Sequence, residues 1–312
     1  MKKTLLAMAV LAASGTAFAQ SSVTLYGVAD LGLVKTTGVS AQMTGNGIGN
    51  NGNSRFGMRG VEDLGGGLKA GFNFEAGINA ETGTTDASTF QRAANLSLSG
   101  GFGEVRLGRG LSLGFAAAAA YELTGTANYS TLANTFGFVG GTRNSSELRY
   151  TTPEFVPGLK VGIGYITKPD NLVGAKPASG STAAVAGTET SKLDLAMIYA
   201  NGPISAGLAY SKPSGGEKSF SLGGGYDFGA FKMAASYQDP AGASKGFTIG
   251  GAANFGAASV ALDVARDTGL KSTNFVAEGK YSLSKRTFSY AALQRTGATK
   301  VNTFSTGIRH NF

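Results

Sequence analysis

Side chains able to do covalent chemistry are scarce in this chain. There is one histidine, His310, third from the end, and no cysteine. A nucleophilic dyad or triad needs a histidine or cysteine placed within a domain, so neither arrangement is assigned. Metal clusters fail on the same count, and no metal or cofactor is expected. The neighbouring carboxylates Glu62 and Asp63 sit in "EDLGGG", a tight turn, where acids are ordinarily solvated surface. The glycine runs, such as "GGGYDFG", do not lie between a strand and a helix and so are not phosphate cradles. What remains is a distribution of charge. Arg55 in "SRFG", Arg59, Arg92 in "FQRAAN", Arg106 and Arg109 in "EVRLGRG", and Arg143 and Arg149 in "GTRNSSELRY" gather around the longest connection of the chain. Between Glu104 and Glu147 the sole acid is Glu122. Fixed guanidinium groups beside a narrow, low-dielectric-walled opening set the sign of the local potential. The chemistry on offer is a choice between anions and cations.

The elements that must hold these residues read as strands almost throughout. In "LKAGFNFEAGI", Leu68, Ala70, Phe72, Phe74, Ala76 and Ile78 share one face, and Lys69, Gly71, Asn73, Glu75 and Gly77 the other. A period of two puts the sets on opposite sides of a sheet. The same alternation runs through "GLKVGIGYI", "SKLDLAMIYA", "PISAGLAYS" and the terminal "TFSTGIRHNF". Extended by this parity, Arg92 falls on the face of Leu96 and Leu98 and reads as an interfacial charge. Sixteen strand cores are expected, at 22–34, 54–62, 67–79, 89–98, 103–109, 145–152, 158–167, 191–200, 203–212, 218–228, 230–238, 246–255, 258–267, 273–282, 286–296 and 302–312. An even number with a strand at each end lets the first pair with the last and close the sheet.

Three features separate a membrane barrel from a soluble sandwich, which would alternate in the same way. The polar faces are rich in glycine, alanine and serine, as an enclosed interior requires. Aromatic residues such as Tyr165, Tyr199, Tyr210, Tyr226, Tyr237 and Tyr281 collect toward strand ends, where interfacial girdles lie. Short turns alternate with long polar segments at 35–54, 79–89, 110–144 and 168–190. The N-terminus fits export. Lys2 and Lys3 precede the apolar run Leu5 to Ala13, and Ala17-Phe18-Ala19 offers a cut before Gln20. That run is too short to span a bilayer, and so is the longest later one, Phe115 to Tyr121. The chain thus divides into a signal peptide, 1–19, and one barrel domain, 20–312. The formal charge of +8 is consistent with an anionic surface or anionic solutes, and export disfavours nucleic acid. The segment from Arg109 to Arg143 carries "FAAAAAYEL", 115–123, the best helix-forming stretch of the protein. A connection of that length is commonly functional.

Several stretches in collinear order, "QSSVTLYGVADLGL", "SRFGMRGVEDLGGGLKAGFNFEAGINAETG", "LSLSGGFGEVRLGRG", "RNSSELRYTTPEF", "YSLSKRTFSY" and "GIRHNF", resemble the general diffusion porins of Gram-negative bacteria, most of all the β-proteobacterial branch. The resemblance implies an all-β fold: a transmembrane antiparallel β-barrel of 16 strands, with the long loop 3 folded into the lumen. It also implies a homotrimer in the outer membrane, in contact with lipid and lipopolysaccharide, passing small hydrophilic solutes and anions without catalysis. Wall arginines facing acids on loop 3 are carried over to Arg55 and Arg109 by "SRFG" and "LGRG", and to Arg143 by "TRNS", with Glu122 as the loop acid. Loop 2, "INAETGTTDAST", corresponds to a subunit latch with Glu81 and Asp86. The end, with Phe312 and Ile308 on one face, corresponds to the signal read by the β-barrel assembly machinery. Departures are the short loops after residues 210, 237 and 296, and the absence from loop 3 of the proline-glutamate-phenylalanine-glycine signature. "PEF" at Pro153 to Phe155 lies in a later turn. Three alternatives stand beside this expectation: a channel selective for phosphate or organic acids, a barrel-type outer-membrane hydrolase, and a secreted soluble β protein.

Overall fold

A computed structural model describes residues 22–167 and 190–312, with a backbone pairing of Leu172–Val173 and Thr188–Glu189 between them. The expected leader at 1–19 and most of the connection at 168–190 lie outside the described residues. Sixteen long strands follow one another: β1 (Ser22–Thr36), β2 (Arg55–Gly65), β3 (Leu68–Asn79), β4 (Ala93–Gly100), β5 (Gly103–Leu111), β6 (Arg143–Thr151), β7 (Leu159–Ile166), β8 (Lys192–Asn201), β9 (Ile204–Pro213), β10 (Ser219–Asp227), β11 (Phe231–Asp239), β12 (Gly246–Phe255), β13 (Ala258–Asp267), β14 (Ser272–Ser282), β15 (Thr287–Thr296) and β16 (Val301–Asn311). Each pairs antiparallel with the next, and β1 pairs with β16 from Val28↔Asn311 to Thr36↔Thr303, which closes the sheet. All sixteen expected cores are present. The largest boundary difference is β4, which starts at Ala93 rather than near 89. The residues before it bond back to β3, Asp86 N to Gly77 O and Arg92 N to Glu75 O.

The barrel is apolar outside and polar inside, as the two-residue alternation demands. Leu25 is 67% exposed and Leu262 62%, while Asp194 is 1% and Ser305 0% exposed. No aqueous globular domain presents rows of leucine, valine and phenylalanine to solvent, whereas lipid is the natural solvent for them. Closure leaves no unpaired strand edge, so each backbone group in the span has a partner. Aromatic pairs mark the margin: Phe228 stacks on Phe231 at 4.6 Å, and Phe220 meets Tyr237 at 5.8 Å. The β2–β3 turn passes through Gly65, Gly66 and Gly67, all with positive φ (83°, 61° and 82°), a path that side chains with a Cβ rarely follow. The opposite rim carries the long connections 37–54, 80–92 and 112–142.

The connection 112–142 crosses the inward-facing side of the wall. Ser112 caps α1 (Leu113–Ala119), its Oγ accepting Phe115 N at 3.0 Å, and Ser130 caps α2 (Thr131–Thr135). The helix starts two residues before the expected alanine run and stops within it at Ala119. Leu113, Ala117 and Val139 pack on Ala196, Ala209 and Ile198 of β8 and β9. Burying Leu113 or Val139 contributes about 1.5–3 kcal/mol each. This approach needs wall positions without side chains. A Cβ on Gly207 would lie 2.1 Å from Ala117 O, and one on Gly223 would lie 2.3 Å from the Tyr121 ring. Here the small residues of the polar faces find their use.

Candidate functional site

Both ends of the inner connection are fixed by charged groups of the wall. Arg149 Nη2 donates to Leu111 O at 2.7 Å, and Lys192 Nζ donates to Gly140 O at 2.6 Å. These cations sit on buried acids: Glu147 holds Arg149 (2.8 Å) and Arg106 (3.0 Å), and Asp194 lies 3.3 Å from Lys192. Such pairs, taken from water together, satisfy one another, but removing one partner strands a buried charge. The far part of the connection is tied by Tyr129 Oη to Glu278, by Thr131 Oγ1 to Asp263, and by Gln238 Nε2 to Tyr121 Oη at 3.0 Å. Lys280 Nζ reaches Thr124 O at 3.1 Å.

Between this tethered segment and the wall lies a cavity of about 710 Å³. Its charged lining is Arg55, Arg92, Arg143, Arg309 and Glu75. Four guanidiniums against one carboxylate leave a formal +3. Arg92 Nε donates to Glu75 Oε1 at 2.7 Å, and Arg55 Nε lies 3.5 Å from the other oxygen of that carboxylate. Tyr26 Oη also donates to Glu75, at 3.0 Å. The hydrogen bonds of Arg143 and Arg309 run to neutral acceptors: Arg143 Nε to Arg92 O at 2.9 Å, Arg309 Nη1 to Asn51 Oδ1 at 2.8 Å. Their charge is therefore left to act on the space in front of them. A second cavity of about 470 Å³ is lined by Glu122, Asp227, Lys232 and Lys280, and Gly125 borders both.

Arg55 and Arg143 thus stand together in the lining of the larger cavity. Arg109 is a correction. The register pairs it with Ala94, on the outward face of Leu96 and Leu98, and its guanidinium donates to Gln91 O and Ser145 Oγ. It does not line the cavity. Counting by twos from Leu107, 55% exposed, gives the same outward face, so the lumen assignment rests on the "LGRG" motif alone. Glu122 is a second correction. Its carboxylate accepts Thr124 Oγ1 at 2.7 Å and Thr126 N at 2.6 Å, turning onto its own loop, and it borders the second cavity. The acid among the arginines is Glu75, from the wall. Arg92, read as interfacial by parity, is a third: it precedes β4, so strand parity does not reach it, and it lines the cavity. Sequence reasoning misses Arg309 and Glu75 as site residues. Both lie on the polar face of an alternating strand, which is the signal that finds them.

Glu81 is exposed at the tip of loop 2, where Thr84–Thr85 pairs back on β3. The Asp86 carboxylate covers the position that a Cβ on Gly77 would take. Phe312 and Ile308 are exposed on the outer face of the closing strand. His310 shares one hydrogen bond with Thr287 Oγ1, at 2.8 Å, on the short-turn rim and apart from either cavity. Among the described residues no group of acids and histidine is spaced to hold a metal. The arginine-rich cavity offers electrostatics and no nucleophile–base pair.

Comparison with known proteins agrees with this architecture. Residues 5–300 match the family described as Gram-negative porin. Outer membrane porin protein 32 of Delftia acidovorans is 38% identical over 250 residues, covering 75% of this chain and 68% of that one. An outer membrane porin protein of Bordetella pertussis is 31% identical over 274 residues, again covering 75% and 68%. Among solved structures, the anion-selective porin from Comamonas acidovorans aligns with a TM-score of 0.74 at 28% identity, covering 94% of this chain and 100% of that one. With a family match over nearly its whole length, and a barrel that superposes on a porin of known structure, this chain belongs to the Gram-negative porin family of the outer membrane.

Proposed function

We propose that this porin is a non-enzymatic, passive, anion-preferring channel for small hydrophilic solutes. The observation that carries the reading is the charge balance of the larger cavity, four arginines against Glu75. Opposite loop 3, these guanidiniums line the narrow part of the path, where a low-dielectric surround focuses their field on a passing ion. An anion meets an attractive potential there and a cation a repulsive one of equal size. The similarity to an anion-selective porin supports the same sign. Solutes move down their own gradients, since nothing in the site couples passage to another reaction.

The chain reaches the outer membrane with its leader 1–19 removed, and the closing strand, ending in Ile308 and Phe312, serves as the recognition signal of the assembly machinery. The barrel works as a trimer among lipid and lipopolysaccharide, with loop 2, through Glu81 and Asp86, as the latch onto a neighbouring subunit. The exposed tip of that loop supports this assignment.

The test is a planar bilayer holding a potassium chloride gradient. Purified protein is expected to insert in conductance steps, with a reversal potential of the sign set by chloride. No stepwise conductance removes the channel reading. Steps with the sign set by potassium remove the anion preference alone. Unboiled samples are expected to migrate as a trimer on a denaturing gel, and identical migration before and after boiling overturns that assembly.

A further inference from the structure

The larger cavity is lined by loop 3 as well as by the arginines, and beside polar groups such as Asn128 and Asn134 that loop contributes two aromatic rings, Phe115 and Phe138. The geometry of α1 explains why. Leu113 and Ala117 are four residues apart and face the wall, so Phe115, about 200° around a helix from Leu113, is turned the other way. The returning arm does the same by alternation: Val139 is buried against the wall, and its neighbour Phe138 is not. Both phenylalanines line the cavity, with ring centroids 4.8 Å apart and planes tilted by 60°. Leu111, 37% exposed, also lines the cavity, on the wall beside its cross-strand partner Arg143.

A small hydrated anion gains from the guanidiniums but nothing from the two rings, because carbon cannot replace the water it would shed there. A solute with a carboxylate at one end and an aromatic ring at the other fits both. Its carboxylate reaches Arg55, Arg92 or Arg143 in charge-assisted hydrogen bonds, and its ring meets Phe115 and Phe138 edge to face. We infer that the favoured solutes of this pore are aromatic carboxylates, held between the arginine wall and the Phe115–Phe138 pair of loop 3. The inference rests on the anion-preferring channel proposed above and adds the chemical class of the anion. The phenylalanines are positioned to make the distinction: a ladder of arginines alone would rank monovalent carboxylates by size and hydration, and the larger benzoate would then come second to acetate.

The experiment uses the full protein in planar bilayers carrying a chloride current, with potassium acetate or potassium benzoate added. Benzoate is expected to half-block the current at a concentration about tenfold below that of acetate, the scale of one good aromatic contact with apolar burial. Phe115→Ala with Phe138→Ala is expected to bring the two concentrations together. Benzoate blocking no better than acetate in the unaltered protein overturns the proposal. So does a benzoate advantage that survives the double substitution. If the variant does not assemble, the comparison in the unaltered protein decides by itself. Failure of the underlying reading is seen separately, as a potassium-signed reversal potential in potassium chloride without either carboxylate.

Discussion

Arg143→Gln is the most direct test of the charge argument, because the hydrogen bond of its Nε goes to a carbonyl rather than to a carboxylate. A sphere of the cavity's 710 Å³ has a radius of about 5.5 Å, which sets the distance from a lining charge to an ion at its centre. In water, a unit charge at that distance contributes about 0.75 kcal/mol. Screening with a Debye length of about 10 Å at 0.1 M salt reduces this to about 0.4 kcal/mol. Removing the charge disfavours an anion and favours a cation by that amount, so the anion-to-cation permeability ratio is expected to fall about fourfold. At 1 M salt the Debye length shrinks to about 3 Å, and the same substitution is expected to change the ratio only about 1.5-fold. The assay is the reversal potential across a planar bilayer under a potassium chloride gradient at both ionic strengths. Arg109→Gln is the control: its guanidinium bonds Gln91 O and Ser145 Oγ away from the cavity, and the ratio is expected to stay unchanged. An unaltered reversal potential for Arg143→Gln at 0.1 M refutes the reasoning, and so does a fourfold change that persists at 1 M.

Glu75→Gln removes the one carboxylate of the larger cavity, so the same assay is expected to show the anion-to-cation ratio rising about fourfold at 0.1 M, with a fall refuting the +3 balance. Tyr129→Phe deletes the hydroxyl that links loop 3 to Glu278 and Asn51, and is expected to destabilise the fold by about 1–2 kcal/mol. A thermal unfolding midpoint equal to that of the unaltered protein argues against that tether. Gly207→Ala places a methyl group 2.1 Å from Ala117 O and is expected to push α1 into the lumen, lowering single-channel conductance. Unchanged conductance in an intact barrel contradicts the close approach of helix and wall. Deleting Phe312 removes the ring that covers Gly27 and the backbone pairing Gly27 N to Phe312 O, and is expected to lower the amount of assembled barrel in outer membranes; equal amounts count against its role.

The barrel was legible because one physical rule repeats along it. Leu193, Leu195 and Met197 on one side, with Asp194 and Ala196 on the other, state both the element and its environment, and sixteen such stretches leave little choice of fold. The site was less legible because its residues sit where that rule stops. Arg92 stands one residue before β4 begins, so counting by twos assigns it to lipid; Arg109 shares the outward parity of Leu107, and its motif alone argues for the lumen. Glu122 reads as the partner of the arginines because it is the acid within their connecting loop. Neighbourhood in the barrel is set across strands, and β2–β3 pairing puts Glu75 beside Arg55 through Gly57 and Gly77. The position of loop 3 was written faintly in the wall, as glycines at 207 and 223 whose missing side chains make room for Ala117 and Tyr121.

The pairing of β1 with β16 has a consequence for how such a chain can be made and altered. Val28 meets Asn311, so the last seam joins residues separated by almost the entire sequence. Bringing such distant ends together costs about 5 kcal/mol of chain entropy, and no part of it is recovered until the final strand docks on the first. Up to that moment the growing sheet carries two bare edges. A truncated product is therefore an open ribbon rather than a smaller barrel. The first and last strands also meet the same rim, which fixes the strand count as even. Segments can be added to or taken from the loops one residue at a time, but the wall itself can grow or shrink only by a whole hairpin.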